Sequence, residues 1–288
     1  MVLRKTGGQA VLIGSMFILV VLLCQESSIC AETIDYLEIV SSFDAPDPHP
    51  RGLAWDGTDI WVATGERVTG VPVWDDEVIL ERIYTIDDIG NVVSYFGTDC
   101  HYPAGMAWDG ENLRYVALAM TKIYKTDTGG NVKSSFDTPG TQPCGLTWDG
   151  EHLWHTDTFE DYIHEIDENG SVISSFQFPH PVYDLAWDGS HLWVASSSTL
   201  EKKVYKIDTS GNVLIEYGAP SPNPYGLAWD GSHLWISDYE TNKIYKTVPT
   251  TDFIETSAHD ENLPLNEIII TATTIMAIIS AALLFKRK

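Results

Sequence analysis

Positive charge and sulfur are both scarce in this chain. Seventeen Lys and Arg stand against 41 Asp and Glu, a formal net charge of −24. A field of that sign repels phosphate backbones, which excludes nucleic acid as a partner. It suits divalent cations, cationic ligands or a saline exterior, and it also keeps a surface soluble. Cysteine occurs only four times, without the spacing of a zinc or redox motif. The chain contains no phosphate-cradling loop, dinucleotide fingerprint or nucleophile motif. Long apolar runs are confined to the two ends.

Those ends read as targeting segments. Arg4 and Lys5 precede the apolar run Ala10–Leu23, and the small residues Ser27, Ser28 and Ala31 follow. This is the pattern of a secretory signal over residues 1–31, cut near Cys30–Glu32. Cys24 follows bulky Leu23 and so lacks the small neighbour that a lipoprotein acceptor needs. At the other end Ile268–Phe285 carries no charge and is followed by Lys286, Arg287 and Lys288. A helix of that length rises roughly 27 Å, enough for a bilayer core, with the cations on the cytoplasmic side. The pattern also resembles the sorting tails of prokaryotic surface proteins. The expected organisation is therefore a signal peptide (1–31), a folded domain (34–248), a polar stalk (249–267) and a membrane anchor or sorting tail (268–288). The folded part is expected outside the cytoplasm, at the cell surface.

Between the ends lies a repeat. The block GLAWDG occurs at Gly52–Gly57 and, with small changes, at Gly105–Gly110, Gly145–Gly150, Asp184–Gly189 and Gly226–Gly231. A period near 40 residues built of short strands marks a radial β array. Each copy continues with an LWVA-like block, a KIYKID-like block and an NVISSF-like block, all alternating and rich in β-branched and aromatic residues. These read as four strands. The Asp-Gly pair between the first two strands is a hairpin signal, because Gly takes positive φ without strain. The fifth copy stops after its third strand. Ile39–Phe43 (IVSSF) matches Val172–Phe176 (VISSF), so an N-terminal strand should complete the last unit. The prediction is all-β: a five-bladed β-propeller closed in this way, plus a C-terminal transmembrane helix.

The blocks resemble propeller repeats of the streptogramin lyase, NHL and gluconolactonase kind. With five units, GLAWDGTDIWVATG at Gly52–Gly65 also resembles the first blade of the glutamine cyclotransferase family. That family has a catalytic Glu in a Glu-Ser-Thr-Gly motif. Val62 stands at the Glu position here, so the resemblance carries the fold and not the activity.

In a propeller the loops entering each first strand share a face with the loops joining strands two and three. Three histidines, His49, His101 and His180, fall in the entering loops as candidates to bind a ligand, hold a metal or act as a general base. His152, His191 and His233 follow the Asp-Gly turns, on the opposite face, as does the glycosylation sequon at Asn169–Ser171. The residues four before each repeat Trp are Arg51, Ala104, Cys144, Tyr183 and Tyr225. They should ring the channel mouth as candidate ligand-binding positions. Asp184 replaces the Gly of the other copies and either caps backbone donors or offers a carboxylate to a cation such as Ca2+. An insertion between Gly65 and Glu81 adds Trp74, Asp75 and Asp76, candidates for covering a ligand or holding a cation. Cys100 and Cys144 remain after processing and lie in loops of adjacent repeats, which predicts a disulfide. Together these features favour a surface binding module without catalysis, its partner an extracellular protein, peptide or glycan. The alternatives are an exported metal-dependent lactonase- or lyase-like or cyclotransferase-like enzyme, and a lectin stacking sugars on Trp74, Tyr102 and Tyr239.

Overall fold

Alternating β-branched and aromatic residues, cut by Asp-Gly and Gly-Asn turns, leave short antiparallel strands as the local solution. The computed structural model describes residues 35–65, 81–98, 102–197 and 202–250. All of them belong to the first of two units, Met1–Thr250 and Thr251–Lys288. The expected signal segment, stalk and C-terminal helix lie outside the described residues. Among those described, no helix is long and apolar enough to cross a membrane.

Twenty strands fall into five antiparallel groups of four. The third repeat is representative: Pro143–Trp148, Leu153–Asp157, Tyr162–Ile166 and Val172–Gln177 pair in sequence order. The fifth repeat supplies Pro224–Trp229, Leu234–Asp238 and Lys243–Pro249. Its fourth strand is the N-terminal Asp35–Asp44, with Phe43 opposite Ile244 as Phe176 lies opposite Ile163. The N-terminal strand therefore takes the position expected of it. A short parallel pairing of Asp35 and Tyr36 with Tyr217 and Gly218 joins this group to the fourth repeat.

The five first strands touch one another in a closed cycle. Glycine makes that approach possible. A Cβ on Gly52 would lie 2.1 Å from the Ala104 carbonyl oxygen, and one on Gly226 would lie 1.9 Å from that of Arg51. Buried apolar residues fill the spaces between neighbouring groups, as where Trp61 and Ile83 of the first repeat meet Met106 and Tyr115 of the second.

The repeated tryptophans connect the groups. Trp61 stacks on Trp108 of the next repeat at 6.0 Å, and Trp193 on Trp229 at 5.8 Å. Such pairs add about 1 kcal/mol beyond burial. Four indoles of the second strands also donate Nε1–H to the turn aspartates Asp56, Asp149, Asp188 and Asp230, at 2.8–3.1 Å. In the second repeat Arg114 stands where the others have Trp, and it does both jobs. Its Nε donates to Asp109 at 3.1 Å, and its guanidinium lies 5.7 Å from the Trp148 ring centre.

Candidate functional site

The first strands begin at one end of the central channel and finish at the other. At their start Arg51, Tyr102, Ala104, Leu118, Tyr225 and Tyr239 line a cavity of about 250 Å3. At their finish Trp55, Trp108, Trp148, Trp187 and Trp229 surround a smaller space of about 80 Å3. The first end is the candidate site, because its lining differs from repeat to repeat while the second end repeats one residue five times.

Arg51 is 6% exposed, with its guanidinium 4.7 Å above the Tyr102 ring. Its Nη1 has no hydrogen-bond partner. Tyr225 packs beside Tyr183 at 5.3 Å and Tyr239 at 5.8 Å. Its hydroxyl accepts a bond from Cys144 Sγ at 3.2 Å, which leaves the phenolic proton available. Burial pushes the Cys144 thiol up to about 12 and the Tyr225 hydroxyl well above its usual range. Both stay protonated at neutral pH, so neither is a nucleophile there. His49 stacks on Tyr239 at 4.6 Å and its Nδ1 approaches the Tyr239 carbonyl at 3.3 Å, which makes it a neighbour of the lining. His180 is away from it, stacked on Tyr205 at 5.1 Å. Of the predicted mouth residues, Arg51, Ala104 and Tyr225 line the cavity, and Tyr183 packs against Tyr225.

Asp184 stands where the other four copies have Gly, and it is fully buried. A Cβ on Gly145 would meet its Cα and Oδ1. Oδ1 accepts the Leu146 N–H at 3.1 Å and Oδ2 the Leu227 N–H at 2.9 Å. Burial raises its pKa well above the carboxylate range, against the pull of those donors. Both oxygens thus accept backbone N–H groups of other first strands, as an aspartate that caps backbone donors does.

The other cation candidates, Trp74 with Asp75 and Asp76, lie outside the described residues, as do His101 and Cys100. Cys144 is a free, buried thiol here. Among the described residues, the group able to hold a metal ion is Asp149, His152 and Glu165, whose ligand atoms lie within 4.8 Å of one another. His152 Nδ1 is 3.1 Å from Glu165 Oε1. This group belongs to the tryptophan end, where the equivalent strand positions carry Lys125, Lys206 and Lys246, each paired with its turn aspartate.

Two imidazoles, one buried and one half-buried, are absent from the candidates that repeat spacing picks out. His155 and His164 face each other across adjacent strands of the third repeat, 6.4 Å between ring centres. Their counterparts in the first repeat are Val62 and Tyr84, and in the fifth Ile236 and Tyr245. Alignment of the copies, which exposes Asp184, is the signal that exposes them too. His155 Nδ1 meets the Gly145 carbonyl at 2.9 Å, and burial lowers its pKa to about 4. The ring is therefore neutral at pH 7.

This architecture is a β-propeller, and the solved structures similar to it are propellers as well. The Myxococcus xanthus glutaminyl cyclase matches 75% of this chain and 97% of its own, with 13% identity and a TM-score of 0.62. The virginiamycin B lyase of Staphylococcus aureus matches 72% of this chain and 68% of its own, with 21% identity and a TM-score of 0.43. At these identities the likeness is one of fold. No protein-family model and no curated protein sequence matches the chain.

Proposed function

We propose that the chain is an exported, five-bladed propeller, held at the cell surface by its C-terminal segment, that binds a ligand at the tyrosine-lined mouth without transforming it. The blade count is supported by the closed cycle of five first strands. Export and anchoring are supported by the two apolar ends and their flanking cations. The binding role is carried by one observation: a cavity of about 250 Å3 around a buried, unpaired Arg51 among three tyrosines. Few convergent polar groups in an apolar concavity are the usual make-up of a ligand pocket. The ligand is a group on an extracellular protein, peptide or glycan. Tyr102 and Tyr239 at the cavity are consistent with stacking on a sugar ring.

A binding role predicts saturable ligand capture by the full chain that Tyr239→Ala weakens and that releases the ligand unchanged. Recovery of a converted product would overturn it. The exported metalloenzyme alternative has one supporting group, Asp149–His152–Glu165, at the opposite end from the cavity. Metal analysis of the purified chain, with melting curves in EDTA, tests that alternative directly.

A further inference from the structure

We infer that the mouth takes a carboxylate borne on a six-membered ring, with Arg51 as its counter-ion. This rests on the mouth being the ligand site. Arg51 is a cation held out of water in a chain of 41 acidic residues, yet no described carboxylate pairs with it. Arg82, Arg114, Lys125 and Lys206 all meet a carboxylate. A buried, unpaired guanidinium is costly unless something supplies the missing acceptor.

The surroundings hold the guanidinium in place, with Nη1 buried and unpaired. The Tyr102 ring lies against one face of it. Gly65 packs beside Nη1, where a Cβ would come within 2.9 Å of it. The lining carries polar hydrogens on Arg51 and on the hydroxyls of Tyr102, Tyr225 and Tyr239, and the Tyr225 oxygen is already engaged by Cys144. Among the described residues no carboxylate lines the space, so a cationic ligand would meet Arg51 without a partner there. A neutral apolar ligand would leave the Arg51 N–H groups buried and unsatisfied. A planar carboxylate accepts two N–H bonds from one guanidinium. The remaining lining, Ala104, Leu118 and the tyrosines, suits a ring. The acidic surface does not veto an anion, because charges farther than about 8 Å are screened at physiological salt while Arg51 is in contact.

The ring can be aromatic or a sugar, and the test separates the two. The full chain is titrated with benzoate and glucuronate, and with their neutral partners benzamide and glucose, while NMR follows labelled tyrosine rings. We expect at least one acid to shift Tyr102, Tyr225 and Tyr239 and to bind about tenfold or more tightly than its neutral partner. Arg51→Met should erase that preference, and Tyr225→Phe, which keeps the ring and its packing, should reduce it severalfold. Equal binding of acid and neutral partner in the unaltered chain overturns the inference. So does an undiminished preference in a folded Arg51→Met or Tyr225→Phe chain. If only the neutral probes shift the mouth tyrosines, the carboxylate assignment falls and the mouth survives as a site. If no probe shifts them, both readings fall.

Discussion

The two ends of the channel are built from the same five strands and have opposite character. Where the strands finish, each repeat presents Trp, and each turn aspartate binds an indole or guanidinium N–H. Where they begin, Arg, Ala, Cys, Tyr and Tyr occupy equivalent positions. Uniformity follows from a shared mechanical task, since every repeat must grip its neighbour by the same contact. Variation is allowed where no such contact is required, and a ligand site needs variation because a small ligand is not five-fold symmetric. Asp184 lines neither space and bonds to first strands of the third and fifth repeats.

Four substitutions would break or sharpen this contrast. The largest effect is expected from Asp184→Ala, which leaves the buried N–H groups of Leu146 and Leu227 without their acceptor. A loss of about 4 kcal/mol in urea unfolding follows, with Asp184→Asn costing less because its carbonyl still accepts. A cost below about 1 kcal/mol would show that this carboxyl does not hold the first strands together.

Next is a pH effect. Burial lowers the His155 pKa from 6.5 to about 4, so the folded state resists the protonation that the unfolded state accepts. Stability from the neutral ring is present above pH 6.5 and is lost as pH falls towards 4, by roughly 3 kcal/mol in all. His155→Val, which installs the residue of the first repeat, should flatten unfolding free energy across that window. An unchanged slope would remove His155 from the acid response. Asp109 acts lower. Burial opposes its ionisation, but bonds from Lys125, Asn112, Glu111 and Arg114 outweigh burial and hold it at about 2. Its contribution is present above 3.8 and fades only as pH falls towards 2.

At the tryptophan end, Asp230→Ala removes the acceptor of Trp235 Nε1 and of the Ser232 and His233 N–H groups. It should cost about 2 kcal/mol and leave ligand binding at the mouth unaltered. The smallest effect on stability is expected at the mouth. Arg51→Met breaks no hydrogen bond from Nη1 and should shift the unfolding midpoint by less than about 1 kcal/mol, or raise it. If Arg51→Met destabilises more than Asp230→Ala, the division between a structural and a binding end is wrong.

Much of this contrast is legible in the amino-acid sequence. The Asp-Gly turns adopt the positive φ that the hairpins require, as at Gly57 (102°). The N-terminal IVSSF segment lies where the truncated fifth copy needs it. Local chemistry and repetition suffice for such statements, because strand, turn and neighbour contact recur at one spacing. Arg51 and Tyr225 are legible as mouth residues for the same reason. Of their mates, Tyr102 and Tyr239 stand out in the sequence only as aromatics able to stack on a sugar, and Leu118 does not stand out at all. Tyr102, Leu118 and Tyr239 come from three different loops or strand ends, and nothing in their spacing says that they face one space. The histidine pair is hidden for a simpler reason: His155 and His164 lie inside blocks that read as ordinary strand.

By itself, then, the sequence determined the all-β class, the four-strand unit, the pairing of the first and last segments and the order of the repeats. Each depends on period, turn chemistry and hydrophobic alternation, which are local. Only the tertiary structure decided the environments. It showed that Asp184 meets backbone N–H donors, that the Cys144 thiol bonds to Tyr225, and that Arg51 is buried with no described carboxylate paired to it. Those outcomes depend on which atoms of distant repeats lie within about 3 Å of one another, where hydrogen bonding and desolvation are decided.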